Sequence, residues 1–294
     1  MKLLLTGADG FTGRPFRTQA EAQGYEVIPL RANLLDADAL RQEMQAVQPD
    51  YVVHLAGIAF VGHAHEQAFY AVNVLGTTNL LDALASLAIP PVKTLLASSA
   101  NVYGNCSLSP ISENQPLAPV NHYAMSKVAM EYMAQNYMSR LGLVITRPFN
   151  YTGPGQDEAF LIPKLARHFA KRASSVALGN LHVEREFNDV RSVCDAYLFL
   201  LEQGAPGEIY NVCSGRMHSL QNVISTFERI VGHGINVCVD PSFVRPNEVH
   251  QLCGNPQKLE DLMGSTGHPW RLPTLEETLS SVLYDVRATA KRMR

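Results

Sequence analysis

Three side chains in the first half of the chain have the types and the spacing of a proton relay. Tyr123 and Lys127 stand four positions apart in a helical pattern, so they face the same side of one helix. At about 4 Å and an effective dielectric of about 20, an ammonium favours a phenolate by about 4 kcal/mol, which would bring a tyrosine pKa from about 10 towards neutrality. Ser99, at the end of a predicted strand, can hydrogen-bond to the same oxygen. The set predicts general acid–base catalysis at a carbonyl or alcohol oxygen.

A glycine-rich turn stands near the start of the chain, between a predicted strand and a predicted helix. It reads TGADGFTG from Thr6 to Gly13. Glycine permits a tight turn, a close approach of the backbone to phosphate and close helix–strand packing, while a helix N-terminus offers N–H groups to an anion. Because the motif follows a strand and opens a helix, it predicts the pyrophosphate site of a dinucleotide.

The end of the second predicted strand bears on which dinucleotide is bound. An acidic residue there would bind the ribose 2′-hydroxyl of NAD, whereas a basic residue accommodates the 2′-phosphate of NADP. The chain has no acidic residue from Val27 to Asn33; Arg31 follows the strand, and Arg14 follows the last glycine. We expect NADP(H) to be preferred and NAD(H) to be possible, unless both arginines are only solvated surface residues.

Short β-rich runs alternate with helical patterns through the first half of the chain. Predicted strands at 2–6, 26–30, 51–55, 94–98 and 143–147 alternate with predicted helices at 11–23, 36–47, 65–87 and 123–141. This alternation is typical of right-handed βαβ units in a doubly wound parallel sheet, the Rossmann arrangement. Such sheets bind ligands at the carboxyl ends of their strands, where the glycine turn and Ser99 fall.

The second half of the chain is less regular. It has helical patterns at 160–172, 190–201, 219–230 and 275–287, a strand at 209–212, and a polar loop that runs to Arg185. Thr274 and Glu277 have the spacing of a capping box before the last helix. We therefore predict an α/β fold with two domains. The dinucleotide-binding domain comprises 1–149 and about 188–212, and a smaller, discontinuous substrate domain comprises about 150–187 and 213–294.

Composition narrows the class of protein. Of the 294 residues, 46% are hydrophobic and 17% are charged, and the net charge is −3, which excludes a disordered chain and gives no overall field for nucleic acid or an anionic membrane. No apolar run approaches the roughly 20 residues of a membrane-spanning helix, and the N-terminal run is too short for a signal peptide. Five scattered cysteines without a CxxC pair argue against disulfides and zinc. We expect a cytoplasmic enzyme without a metal.

These motifs together resemble the extended short-chain dehydrogenases/reductases that act on nucleotide sugars, over nearly the full chain. The matching segments are the glycine turn, HLAG at 54–57, Asn73 in NVLGT, the Ser, Tyr and Lys of the relay, and RPFN at 147–150. The resemblance implies that Ser99, Tyr123 and Lys127 are catalytic and that Asn73 supports the lysine through backbone or water. It also implies that 55–57 lines the adenosine side of the cofactor. The expected cofactor contacts are Gly7, Gly10, Phe11, Thr12, Gly13, Arg31, Asn33, Leu34, Leu55, Ala56, Gly57, Tyr123 and Lys127.

Within that family, the chain is similar to the GDP-mannose branch, which includes 4,6-dehydratases and the reductase that makes GDP-rhamnose. The similarity lies in LGNL at 178–181, in RPNE at 245–248 and in GNPQKL at 254–259. The resemblance implies a nucleotide-diphosphate sugar, GDP-linked, with Asn150 and Arg185 on its diphosphate and Arg245 and Glu248 on phosphate and ribose. A guanidinium suits a diphosphate because its planar fork binds oxygens bidentately, although any one arginine could be a surface ion pair.

Departures from the family pattern bear on the reaction. Dehydratases carry acidic residues directly after the catalytic Ser or Thr, and this chain has Ala100 and Asn101 there, which is also a departure from the reductase. Epimerase-reductases that make GDP-fucose carry a Cys in this stretch and a His after Asn-x-x-Gly-Pro, where this chain has Asn101 and Gly155-Gln156. We expect reduction of the C4 keto group of a GDP-4-keto-6-deoxy-hexose, giving a GDP-6-deoxyhexose such as GDP-rhamnose. The alternative is a 4-epimerase with tightly held NAD, while a 4,6-dehydratase and a non-catalytic NADP-sensing protein are disfavoured; the product configuration at C4 is left open.

Several histidines and one helix carry further expectations. His63 and His65 are expected to pack or to touch substrate rather than to bind metal, His54 to be a satisfied core residue, and His182 to approach the nucleotide base. The Met and Tyr side chains of 123–138 are predicted to be core or subunit contacts. Because this helix often lies in a dimer interface in the family, we predict a homodimer.

Overall fold

Hydrophobic patterning located most of the strands and helices within a few residues of their bounds in the computed structural model, which describes residues 1–59, 65–244 and 249–292. The strands are β1 (Lys2–Thr6), β2 (Glu26–Pro29), β3 (Tyr51–His54), β4 (Lys93–Ala97), β5 (Leu143–Pro148), β6 (Tyr151–Thr152), β7 (Ser175–Leu178), β8 (Glu184–Arg185), β9 (Asn188–Asp189), β10 (Ile209–Val212), β11 (His218–Ser219), β12 (Asn236–Val239) and β13 (Gln251–Leu252). The helices are α1 (Gly13–Ala22), α2 (Ala37–Val47), α3 (Glu66–Tyr70), α4 (Thr77–Ala85), α5 (His122–Ala134), α6 (Leu161–Ala170), α7 (Val190–Gln203), α8 (Leu220–Val231), α9 (Gln257–Thr266) and α10 (Leu275–Arg292).

Six of these strands form one parallel sheet in the order β2-β1-β3-β4-β5-β10. Every residue of β5 is buried, as expected for a sheet that is covered on both faces. The chain leaves β1 for β2 on one side and returns to β3 on the other, so a crevice forms at the carboxyl ends of β1 and β3. The predicted α/β fold with a Rossmann sheet is confirmed.

Helices cover both faces of the sheet. On one face, α1 and α7 contribute the fully buried Phe16 and Tyr197. On the other face, α2 and α4 contribute the fully buried Leu40 and Leu81. Burying an apolar side chain of this size stabilises the fold by about 1.5–3 kcal/mol, so the two clusters hold the strand ends in place.

The single helix predicted at 65–87 contains a wider turn. Between α3 and α4, residues Ala71–Gly76 form a π-helical segment, a feature that is frequent at functional sites. Asn73 lies in this segment and is only 1% exposed. The helix is therefore continuous, but its middle turn is not the regular α-helix that the pattern predicted.

A separate apolar cluster is built from α6, α8, α10 and the paired strands β7 and β12. Phe169 and Phe227 stack at its centre, with ring centroids 5.2 Å apart. The polar loop predicted up to Arg185 is wrong at Ser175–Leu178, which is β7, and neither β12 nor α9 was predicted. β7 finds its partner only through the fold, because β12 lies in a distant part of the chain.

In the part of the chain that the structure describes, no helix is long and apolar enough to span a membrane. The five cysteines are all free thiols: three are buried, Cys106 is partly buried and Cys238 is exposed.

Candidate active site

The glycine turn closes against the end of the neighbouring strand. Gly7 has a φ of +69°, which favours glycine, and a Cβ there would lie 2.8 Å from Ala56 N. A Cβ on Gly13 would collide with the Gly7 carbonyl, so Gly13 lets α1 begin directly on the turn. Of the described atoms, a Cβ on Gly10 would meet only the Gly7 oxygen, at 3.1 Å. Gly10 therefore leaves its outer side open to a close approach.

Phe11 and Thr12, both predicted cofactor contacts, lie against Tyr151 of β6. The rings of Phe11 and Tyr151 stack with centroids 5.8 Å apart, and Thr12 Oγ1 lies 2.8 Å from Tyr151 Oη. Burial raises the pKa of Tyr151, so its hydroxyl stays protonated. Tyr151 was not among the predicted contacts, although it follows Asn150 directly.

A chain of hydrogen bonds ties β1 to β3 behind the turn. Thr6 Oγ1 accepts from Ala56 N at 2.9 Å and lies 2.7 Å from His54 Nδ1, while His54 Nε2 lies 2.9 Å from Thr77 Oγ1. Because Thr77 Oγ1 donates its own proton to Asn73 O at 2.8 Å, it accepts from His54 Nε2, so Nε2 carries the imidazole proton and Nδ1 accepts from Thr6 Oγ1. Burial lowers the pKa of His54 to about 3, so the ring is neutral. His54 is the satisfied core residue that was predicted.

Asn73 joins the loop after β3 to the relay helix. Its Oδ1 accepts from Ile58 N at 2.9 Å, and its Nδ2 lies 3.2 Å from Ile58 O and 3.0 Å from Ser126 Oγ. A Cβ on Gly57 would lie 2.9 Å from Asn73 Oδ1 and 3.6 Å from Lys127 Nζ. The segment predicted to line the adenosine side of the cofactor therefore ends next to the relay lysine.

The loop after β2 is held by an acidic side chain that the sequence pattern did not predict. Arg31 and Asn33 are exposed and Leu34 is buried. Glu43 of α2 folds back onto this loop, where its carboxylate accepts from Arg31 N at 2.9 Å and from Ala32 N at 2.7 Å. A carboxylate twelve residues after Arg31 thus fixes the backbone from which the Arg31 side chain projects.

The three relay side chains come together at the carboxyl end of β4. Ser99, Tyr123 and Lys127 are 5%, 7% and 7% exposed. The side chain of Asn121 caps α5 by accepting from Ala124 N at 2.8 Å, which starts the helix just before Tyr123. Lys127 Nζ donates to Ala97 O at 2.8 Å.

The pKa shifts in the relay differ from the expectation. Burial raises the pKa of Tyr123, and the hydrogen bond with Ser99 opposes this rise. Burial also lowers the pKa of Lys127 to about 8, although the charge of Glu131 opposes this change. The predicted lowering of the Tyr123 pKa is therefore wrong for the chain as folded, because the loss of water destabilises the phenolate more than its neighbours stabilise it. Tyr123 is a protonated acid at neutral pH.

A short 3₁₀ turn at Ala100–Tyr103 follows Ser99 and is capped by it. Ser99 Oγ accepts from the backbone N of Asn101 at 3.2 Å and lies 3.2 Å from Asn101 Nδ2. Ala100 is 1% exposed. The two positions after the serine therefore bring an amide, and no carboxylate, to the relay.

Behind the relay lies a buried polar network. Glu131 accepts from Ser98 Oγ at 2.5 Å and from Arg147 at 2.6 Å and 3.0 Å. Arg147 also donates to Tyr103 Oη at 3.0 Å and to Glu113 O at 3.1 Å. Arg147 belongs to a motif noted in the sequence, but no pattern pointed to Glu131.

Of the predicted substrate contacts, Asn150 is exposed, and its carbonyl accepts from Asn188 N at 2.9 Å, which joins β6 to β9. Arg245 and Glu248 lie outside the described residues. His63 also lies outside them, and His65 is exposed at the start of α3.

Arg185 is turned inward. Arg185 is only 8% exposed. Its guanidinium donates to Glu184 O at 2.9 Å, to His250 O at 3.0 Å and to Val249 O. Val249 and His250 follow the segment 245–248 directly. Arg185 therefore fixes the backbone next to the two predicted contacts Arg245 and Glu248, a role that its sequence position did not suggest.

A cavity of about 670 Å³ lies beside Arg185. It is lined by residues 105–107, 181–184 and 250–251 together with Ser219 and Gln221. His182, which was expected near a nucleotide base, is part of this lining. The volume falls within the range of small-molecule sites in proteins.

A model of the family described as GDP-mannose 4,6 dehydratase matches residues 17–266. GDP-6-deoxy-D-talose 4-dehydrogenase of Aggregatibacter actinomycetemcomitans is 33% identical over 90% of this chain and 92% of its own length. GDP-6-deoxy-D-mannose reductase of Pseudomonas aeruginosa is 33% identical over 97% of this chain and 96% of its own length.

Two solved structures are similar over nearly the whole chain. One, from Burkholderia cenocepacia J2315, is provisionally named an epimerase; it has a TM-score of 0.90 and 43% identity over 98% of both chains. The other is RMD from Pseudomonas aeruginosa complexed with NADPH, with a TM-score of 0.88 and 32% identity over 98% of both chains.

Proposed function

Since the chain belongs to the GDP-mannose 4,6-dehydratase family of NAD(P)-dependent oxidoreductases, we propose that it reduces the C4 keto group of a GDP-4-keto-6-deoxy-hexose with NADPH. The product is a GDP-6-deoxyhexose such as GDP-rhamnose. The carrying observation is the buried set of Ser99, Tyr123 and Lys127, followed at Ala100 and Asn101 by side chains that cannot do the acid–base work of a dehydratase.

Tyr123 is the acid of the reaction. Because burial keeps its phenol protonated at neutral pH, it can give that proton to the C4 oxygen as negative charge develops there. Bound NADPH supplies a hydride to the carbonyl carbon. Ser99 donates a hydrogen bond to the same oxygen, and the Lys127 ammonium stabilises the phenolate that Tyr123 becomes.

The glycine turn fits the pyrophosphate of the cofactor. Gly10 is open on its outer side, and Thr12 makes no side-chain cap at the start of α1. Within α1, Arg14 N already donates to Gly10 O and Pro15 has no N–H, so we assign the backbone N–H groups of Phe11, Thr12 and Gly13 to the pyrophosphate. Phe11, Thr12 and the loop 55–57 flank this turn in the crevice between β1 and β3. Arg31, Asn33 and Leu34 follow β2, where the adenosine ribose of a dinucleotide lies in such sheets.

The substrate lies between the relay and the cavity. Asn150 and Arg185 are assigned to the diphosphate and Arg245 and Glu248 to phosphate and ribose, as the family motifs imply. The inward position of Arg185 supports an indirect role in binding the diphosphate, because its guanidinium holds the carbonyls beside 245–248. The cavity lining at 181–184, with His182, is assigned to the nucleotide.

A 4-epimerase with tightly held NAD is the second candidate. The same Ser, Tyr and Lys set serves both reactions, and a structure with 43% identity bears the provisional name of an epimerase. NADPH in the related RMD structure and the position of Arg31 favour the reductase.

We assign the protein to the cytoplasm as a homodimer with two domains. The domains comprise 1–149 with about 188–212, and about 150–187 with 213–294. On α5, Met130 is buried, whereas Met125 and Tyr132 are 45% and 59% exposed, so one face of this helix offers large side chains to a second copy. The free thiols suit a reducing compartment. A monomeric mass in light scattering would exclude the dimer.

Purified protein is incubated with GDP-4-keto-6-deoxymannose and NADPH or NADH. Loss of the reduced-nicotinamide absorbance reports turnover, and NMR of the product assigns the configuration at C4. The reductase is rejected if the purified protein carries oxidised NAD and interconverts C4 epimers without consuming added NADPH.

A further inference from the structure

The hydrogen bonds around Ser99 Oγ restrict the direction in which it can donate. A serine hydroxyl has one proton to donate and two lone pairs that accept. Asn101 approaches this oxygen twice, with its backbone N at 3.2 Å and with its Nδ2 at 3.2 Å. Both groups are N–H donors, so one residue occupies both acceptor positions of the serine.

The proton of Ser99 must therefore go to another group. Tyr123 is the neighbouring group that responds to this proton, since the Ser99 hydroxyl opposes the rise that burial causes in the Tyr123 pKa. Ser99 is 5% exposed and Ala100 is 1% exposed, so water does not compete freely for these positions. The backbone contact belongs to the 3₁₀ turn that Ser99 caps, and only the Nδ2 contact depends on which side chain stands at 101.

We propose that Asn101 is a positioning residue that makes Ser99 a dedicated hydrogen-bond donor to the carbonyl oxygen of the keto sugar. This role rests on the proposed reduction at C4. As the carbonyl gains a hydride at carbon and the Tyr123 proton at oxygen, the oxygen passes through a state of higher negative charge. A donor that is already oriented stabilises that state without reorganisation.

The amide also explains why the chain uses Asn at this position rather than an acid of the same shape. A carboxylate only accepts hydrogen bonds, so an aspartate at 101 would take the Ser99 proton and turn it away from the substrate. Asn101→Asp replaces the amide with a carboxylate of the same shape. It therefore reverses the direction of one hydrogen bond without changing the size of the side chain. It is the sharpest single test of the inference.

Steady-state reduction of GDP-4-keto-6-deoxymannose by NADPH is measured for the wild type, Asn101→Asp, Ser99→Ala and the double variant. We expect kcat to fall by about 10- to 100-fold in Asn101→Asp with little change in the sugar KM, as when one oriented donor to a developing oxyanion is lost. In the Ser99→Ala background, Asn101→Asp should have no further effect, because the two residues act through one hydrogen bond. Asn222→Asp on the exposed start of α8 is the matched control and should keep the wild-type kcat.

A pH series separates this role from a structural one. A free aspartic acid has a pKa of about 4, and its protonated form can donate a hydrogen bond again. The ratio of Asn101→Asp to wild-type kcat should therefore rise as the pH falls from 7.5 to about 5. A merely misfolded variant would not recover, and NADPH binding, followed by fluorescence, should match the wild type.

The outcomes are distinct. If the wild type and Asn101→Asp reduce the keto sugar equally well, the Asn101 amide does not orient the Ser99 hydroxyl. The inference is then overturned, while the proposed function stands. Additive losses in the double variant, or a loss that low pH does not relieve, also overturn it. If the wild type does not reduce the keto sugar, both the proposed function and the inference fall.

Discussion

Glu131 and Arg147 form a two-point ion pair inside the protein, one helical turn beyond the relay lysine. The two contacts are 2.6 Å and 3.0 Å long, and each side chain is only 4% exposed. The same carboxylate accepts from Ser98, which lies between Ala97, the partner of Lys127, and Ser99. The ion pair therefore supports the stretch of backbone that places two of the three relay residues.

Glu131→Gln should destabilise the protein by about 3–5 kcal/mol, because it leaves the Arg147 guanidinium buried without a counter-charge. Urea unfolding followed by circular dichroism measures this change. The matched control is Glu21→Gln, which breaks the exposed pair with Arg17, where both side chains are 46% exposed. That change should cost less than about 1 kcal/mol. Equal losses in the two variants would contradict a special role for the buried pair.

The activity should fall at alkaline pH with an apparent pKa of about 8. Burial lowers the Lys127 pKa to about 8, so the ammonium is present below that pH and is lost above it. Because Glu131 raises the Lys127 pKa, Glu131→Gln should move this limb to lower pH. A kcat profile from pH 6 to 10, recorded at a temperature where the variant stays folded, tests both statements. A limb that does not move would show that Lys127 is not the titrating group.

Tyr123→Phe should abolish most of the chemical step while leaving cofactor binding intact. The ring and its contact with Phe69, at a centroid distance of 6.0 Å, are kept, and only the hydroxyl that gives the proton is lost. Loss of a general acid costs about 10²- to 10⁴-fold in rate. Single-turnover reduction and NADPH fluorescence titration measure the two properties separately, and full turnover by this variant would exclude the relay.

Arg31→Ala should lower kcat/KM for NADPH about tenfold or more and change that for NADH little. A charge-assisted hydrogen bond to a phosphate contributes about 1.5–3 kcal/mol, and only NADPH carries the 2′-phosphate. Arg41→Ala on α2 is the control, since Arg41 is half exposed and pairs with Asp38. Parallel losses for both cofactors would mean that Arg31 does not recognise the phosphate.

Local sequence signals predict much of this fold and site. Asp36 caps α2 by accepting from Ala39 N at 3.0 Å, and Thr274 and Glu277 form the predicted capping box before α10. The glycine turn and the Tyr–Lys spacing are equally local, because each acts within a few residues of one strand or helix. Such interactions can be read from sequence, since both partners lie on the same short segment.

Contacts between distant segments were decided only by the tertiary structure. The pairing of β7 with β12, the return of Glu43 to the end of β2 and the inward turn of Arg185 join residues that no local pattern connects. The direction of the Tyr123 pKa belongs to the same class. The sequence by itself determined that a tyrosine, a lysine and a serine stand where a relay needs them. Only the packing around them decided that the Tyr123 pKa rises instead of falling, because burial depends on every segment that excludes water from the site.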